Sequence, residues 1–93
     1  MKEKDIERYF CNLVKENGGI VRKLQWVGHN GAPDRLVAMP GGGLFLAEIK
    51  KPGGSPDPHQ DREIQRFAKL GTEVLVIDSY QAAYRFIDIW NRV

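Results

Sequence analysis

A chain of 93 residues, 42% of them hydrophobic and 28% charged, has the composition of an ordinary globular protein and room for one core, so residues 1–93 are expected to form a single domain. Its net charge of +2 permits a nucleic-acid partner but falls short of the strongly basic balance that would argue for one alone. The lone Cys11 excludes an intrachain disulfide, no apolar run approaches the ~20 residues of a membrane span, and no signal-peptide pattern is visible, so a buried free thiol and a cytoplasmic setting are expected.

In chain order, Lys4 to Asn17 predicts a helix, because Ile6, Tyr9, Phe10, Leu13 and Val14 fall on one helical stripe before Gly18-Gly19 supplies a left-handed stop. Ile20 to Val27 predicts a strand, with Ile20, Leu24 and Trp26 on one side and Lys23 and Gln25 on the other. Gly28 to Pro33 reads as a loop. Asp34 to Met39 and Leu44 to Lys50 predict two strands joined at Pro40-Gly41-Gly42-Gly43. A second helix opens on Asp57-Pro58, carries Ile64, Phe67 and Leu70 as its apolar stripe, and closes at Gly71. Glu73 to Ile77 predicts a buried parallel strand. Asp78-Ser79 caps a last helix with Ala83, Phe86, Ile87 and Trp90 inward. The order is αβββαβα: an α/β fold whose strand–helix–strand portion is expected to cross over with a right hand.

The chemistry is concentrated in Pro33-Asp34 and Glu48-Ile49-Lys50. Alternation along Leu44 to Lys50 sends Glu48 and Lys50 to one face and Phe45, Ala47 and Ile49 to the other. Two carboxylates and an ammonium converging at the end of a small sheet suit a hard divalent cation and a phosphodiester. Each residue also has a plainer reading. Asp34 could form a turn after Gly-Ala-Pro, and Glu48 and Lys50 could pair as counter-ions. Glu48, however, interrupts an apolar strand and is costly there unless paired or metal-bound. Gln60 fits a capping box with Asp57, yet lies on the same helix face as Ile64 and Phe67, toward the sheet. Glu7 sits at the edge of the first helix's apolar stripe and reads equally as a solvated surface group. His29 and His59 are single imidazoles in polar settings.

The ordered set of Glu7, Pro33-Asp34, Glu48-Ile49-Lys50, Ser55-Pro56 and Gln60, spread over essentially the whole chain, resembles the PD-(D/E)XK nuclease superfamily and, within it, the VRR-NUC family (viral-type replication-repair nucleases). The short length is similar to stand-alone phage and bacterial members. The resemblance implies a restriction-endonuclease-like core with a mixed sheet flanked by helices. It implies Mg²⁺ or Mn²⁺ as cofactor, held by Asp34, Glu48, the Ile49 carbonyl and Glu7, with Lys50 and Gln60 serving the attacking water. It also implies a structure-selective endodeoxyribonuclease that resolves branched DNA such as a four-way (Holliday) junction, within a bacterial or phage-infected cell. Two symmetric cuts require two related sites, hence a homodimer, and exposed apolar residues among Tyr80, Tyr84, Ile89 and Trp90 are candidates for its interface. Arg22, Lys23, Arg35, Lys51, Arg62 and Arg66 are the candidate phosphate contacts, which would give affinity without sequence readout. The alternatives are a flap or restriction-like nuclease of the same chemistry, and a non-catalytic DNA-binding module on the same fold.

Overall fold

In the computed structural model, which describes residues 2–92, the first helix α1 (Glu3–Glu16) forms where the apolar stripe requires it and buries Ile6, Phe10 and Val14. The Asp5 carboxylate accepts the Lys2 backbone N–H at 2.8 Å. At the other end Gly18, at φ +87°, reverses the chain, and Gly19 N–H bonds back to the Val14 carbonyl at 2.9 Å. Four strands follow: β1 (Ile20–Lys23), β2 (Arg35–Met39), β3 (Gly43–Ile49) and β4 (Val74–Ile77). Helix α2 (Pro58–Lys69) lies between β3 and β4, and α3 (Tyr80–Arg92) closes the chain. The Ser79 hydroxyl accepts the Ala82 N–H at 3.0 Å and caps the start of α3.

The sheet runs in the order β1-β2-β3-β4, antiparallel across the first two junctions and parallel between β3 and β4. One face carries the core. Val37 and Met39 of β2, Ala47 and Ile49 of β3 and Ile77 of β4 meet Ile6, Phe10 and Val14 of α1 and Ala83 and Ile87 of α3. Full burial of a side chain the size of Phe10 or Ile6 contributes about 1.5–3 kcal/mol, so α1 is a main anchor of the fold. Helix α2 covers the opposite face and contributes no fully buried residue.

Four expectations are corrected. The first strand ends at Lys23 rather than Val27. Leu24 N–H makes one more bond, to the Asp34 carbonyl at 2.9 Å, and the ladder stops there. The inward side chain of β1 is Val21, which packs on the core, while Ile20 is 48% exposed. Leu70 is not part of a buried stripe, being 82% exposed just beyond α2. Finally, β4 is an edge strand: Val74 and Ile77 are buried, but one side of its backbone ladder has no partner among the described residues.

Candidate active site

The register of the sheet assembles the site. Because β2 and β3 are antiparallel with Arg35 opposite Ala47, the residue entering β2 lies beside the residue following Ala47. Asp34 and Glu48 therefore meet on the face away from α1, since successive side chains alternate. Pro33 is fully buried and positions Asp34; its carbonyl accepts the Trp26 indole N–H at 2.7 Å. The parallel junction to β4 steadies the other side, with Lys50 N–H bonded to the Ile77 carbonyl at 2.9 Å.

Glu48 is 1% exposed, and its environment is only half satisfied. Its Oε2 accepts a hydrogen bond from Gln60 Nε2 at 3.2 Å. Its Oε1 and the Oδ1 of Asp34 are both buried without a hydrogen-bond partner. Burial, and then the neighbouring Asp34 charge, push the Glu48 carboxyl up to about 7, against the opposing pull of Lys50 and Arg35. A buried acceptor left without a donor costs about 1–3 kcal/mol, more when charged. Two such oxygens on adjacent like charges are what a cation between them would satisfy. Among the described residues no third Cys, His, Asp or Glu joins the pair to make an all-side-chain cage. The donor set thus fits a hard cation that retains waters and binds through one or two carboxylates, as Mg²⁺ does, rather than a zinc-type cluster.

Gln60 fulfils both of its sequence-level readings. Its Oε1 accepts the Asp57 N–H at 3.0 Å, its own N–H donates to Asp57 Oδ1 at 2.9 Å, and its remaining amide hydrogens face Glu48. The cap holds the Asp57 carboxyl below its usual range, chiefly through the Gln60 N–H. Lys50, half-buried just beyond β3, lowers the Glu48 pKa without forming an ion pair with it among the described residues. The Ile49 side chain is part of the core, which leaves only its main chain for the site.

Arg35 is placed differently from the sequence expectation. It is buried rather than presented to a phosphate: Nη1 lies 3.3 Å from Asp34 Oδ2 and donates to the Asp34 carbonyl at 3.0 Å, while Nη2 donates to Glu7 Oε2. Two carboxylates on opposite sides hold the guanidinium inside, and desolvation alone would expel it. Glu7 consequently reaches Asp34 through Arg35 and does not gather with Asp34 and Glu48 into one carboxylate cluster. No sequence signal marks this linkage, since nothing in the spacing of Glu7 and Arg35 announces that helix and strand bring them together. The other basic candidates are exposed: Arg22 and Lys23 on β1, Lys51 after β3, and Arg62 and Arg66 on α2. Arg62 Nη2 lies 3.0 Å from His59 Nδ1, and His29 Nδ1 lies 3.9 Å from Glu63.

A four-stranded mixed sheet flanked by helices, with an aspartate entering one strand and a Glu-Ile-Lys triplet ending the next, defines a nuclease of the PD-(D/E)XK class. No protein-family model matches the chain. A protein of Acyrthosiphon pisum secondary endosymbiont phage 1, named "Putative nuclease p44", is 43% identical over 79 residues, 85% of each chain. A solved structure of a VRR_NUC domain superposes with a TM-score of 0.87 at 39% identity, covering 95% of this chain and 96% of its own. The chain belongs to the VRR-NUC nuclease family.

Proposed function

We propose that this protein is a metal-dependent, structure-selective endodeoxyribonuclease acting on branched DNA, with a four-way junction as its substrate and a homodimer as its working form. The observation that carries the reading is the pair of buried, unpartnered oxygens on Asp34 and Glu48, set beside a half-buried Lys50. A bound Mg²⁺ or Mn²⁺ would supply Lewis-acid polarisation of the phosphodiester and a more acidic water. Asp34 Oδ1, Glu48 Oε1 and the Ile49 carbonyl are the groups to hold it. Gln60 fixes Glu48 Oε2 and so turns the other oxygen toward the cation. The Lys50 ammonium orients the attacking water and offsets charge gathering on the phosphoryl oxygens as the P–O bond breaks. Arg35 and Glu7 act one step back, holding Asp34 Oδ2 so that Oδ1 stays free.

Exposed Arg22, Lys23, Lys51, Arg62 and Arg66 supply phosphate contacts, which position DNA without reading its sequence. The open edge of β4 and the adjoining apolar cleft of about 400 Å³, lined by Leu75, Phe86, Ile89 and Trp90 among others, support a two-fold contact between copies, joined by exposed Tyr80 and Tyr84 on α3. Retention of Asp34, Glu48 and Lys50 together argues against a silent DNA-binding module. The test is cleavage of labelled four-way junction, flap and linear duplex with Mg²⁺, Mn²⁺ or EDTA, alongside Asp34→Ala. Paired nicks in the junction that need metal and vanish in the variant are expected. Cutting of the flap or linear duplex in preference would keep the chemistry and discard the junction.

A further inference from the structure

Beside the catalytic pair is a cleft that the hydrolytic chemistry does not use. It holds about 280 Å³ and is lined by Trp26, His29, Glu63, Arg66, Phe67 and Leu70. Trp26 and Phe67 meet edge to face at 6.0 Å, and the indole is held by its bond to the Pro33 carbonyl, next to Asp34. The rim is apolar at Leu70, which faces solvent and is 82% exposed. The floor is polar. The Glu63 side chain is only 12% exposed, and the groups near it are the Arg66 guanidinium at 3.5 Å and the His29 imidazole at 3.9 Å.

We infer that this cleft is a docking site for an unpaired nucleobase of the DNA strand being processed, an inference that rests on the nuclease reading above. An aromatic wall and a leucine offer a stacking surface that any base can use. A half-hidden carboxylate between them accepts from an exocyclic amino group, which cytosine, adenine and guanine carry and thymine lacks. The Arg66 and Arg62 guanidiniums, exposed on the same helix, match the phosphates on either side of such a base. From Gln60 to Phe67 the helix advances seven residues, about 10 Å, or roughly three stacked base steps. A base in the cleft therefore belongs to a nucleotide close to the scissile phosphate. Duplex DNA keeps its bases stacked and offers nothing to this cleft. A branch, bulge or flap offers an unpaired base at little cost.

The test uses the full chain in EDTA. Its tryptophan emission and DNA affinity are measured with a plain duplex, the same duplex carrying one unpaired cytosine, and a third in which that nucleotide is abasic. The expected result is tighter binding of the cytosine bulge, by roughly tenfold, with quenching of tryptophan emission that the abasic bulge does not produce. Trp26→Phe removes the quenching, and Leu70→Ser and Glu63→Gln reduce the preference. Equal affinity for the cytosine and abasic bulges overturns the inference, as does a preference unchanged in all three variants. Loss of dimerisation in Leu70→Ser overturns it too, because the patch would then face a second copy. Metal-dependent cleavage, scored in parallel with Asp34→Ala, keeps the two readings apart. Cleavage without a base preference sinks only the cleft, and a base preference without cleavage in any metal sinks only the nuclease.

Discussion

At the scale of single residues, the site is defined by an unfavourable pair. Burial, and then the charge of Asp34 beside it, push the Glu48 carboxyl up to about 7 from its ordinary 4.5. The folded state therefore holds a proton between those values that the unfolded chain has released. Metal-free stability should be fully present below the ordinary pKa and should fall as pH rises from about 4.5 through about 7. The loss is at most about 3 kcal/mol. Thermal melts in EDTA at pH 5 and pH 8 measure it, and a flat profile would show that the folded chain does not raise the Glu48 carboxyl. Glu48→Gln should remove the dependence and raise the metal-free Tm, while abolishing the stabilisation by Mn²⁺ that the proposed site predicts for the wild type. A metal at the proposed site would have to displace that proton, so affinity for Mn²⁺ should weaken below about pH 7; calorimetric titration at pH 6 and pH 8 reports this directly. Arg35→Met strands Glu7 and Asp34 without their shared cation. Because those carboxylates keep 31% and 41% exposure, it should cost about 1–3 kcal/mol in denaturant unfolding, with Glu7→Gln milder because its amide oxygen can still accept from the guanidinium.

At the scale of elements, the site depends on how the loop before β2 is seated. Gly31 has φ +79°, and a Cβ built there would lie 2.6 Å from the His59 carbonyl carbon and 2.7 Å from the Gln60 nitrogen. The loop thus rests on the first turn of α2, which carries the Gln60 amide to Glu48. Gly31→Ala combines a left-handed conformation with a backbone clash, and should cost about 1–3 kcal/mol and displace Gln60. Weakened Mn²⁺ binding and slower cleavage are the expected readouts; wild-type values would show that the contact is dispensable. The glycine at this position was visible in the sequence only as part of a polar loop, because the surface it touches lies on a helix nearly thirty residues further along.

At the scale of the whole molecule, the arrangement is two-sided. Helices α1 and α3 seal the core face, while α2 lies lightly over the other face and shares it with the acidic pair. Stability and chemistry are accordingly separable. Phe10→Ala, deep in the core, should cost about 3–5 kcal/mol, a large share of the 5–15 kcal/mol typical of a folded domain, with melting as the measurement. The exposed surface of α3 answers a different question. Ile89 is 56% exposed beside the open edge of β4, and Ile89→Glu should convert a dimer to a monomer in sedimentation analysis. Junction cleavage should then fall from paired to single nicks. A wild-type chain that is already monomeric at micromolar concentration, yet nicks in pairs, would defeat this prediction.

Local signals determined much of this protein. Helical and strand periodicities, the two glycines after the first helix, the Pro-Gly-Gly-Gly turn and the Asp57-Pro58 start placed all seven major elements, since each depends on neighbouring residues alone. The Pro-Asp and Glu-Ile-Lys motifs marked the acidic pair for the same reason: a strand's alternation decides its faces before anything packs against it. Tertiary structure decided the rest. Only the partner strand could end β1 at Lys23, because the ladder to β2 stops after the bond from Leu24 to Asp34. Only the packing of α1 against β2 could turn Arg35 from a surface cation into the buried bridge between Glu7 and Asp34. And only the lie of a loop along α2 could gather Trp26, Glu63 and Phe67 into one cleft, since which distant groups share a volume is a property of the fold and not of any stretch of chain.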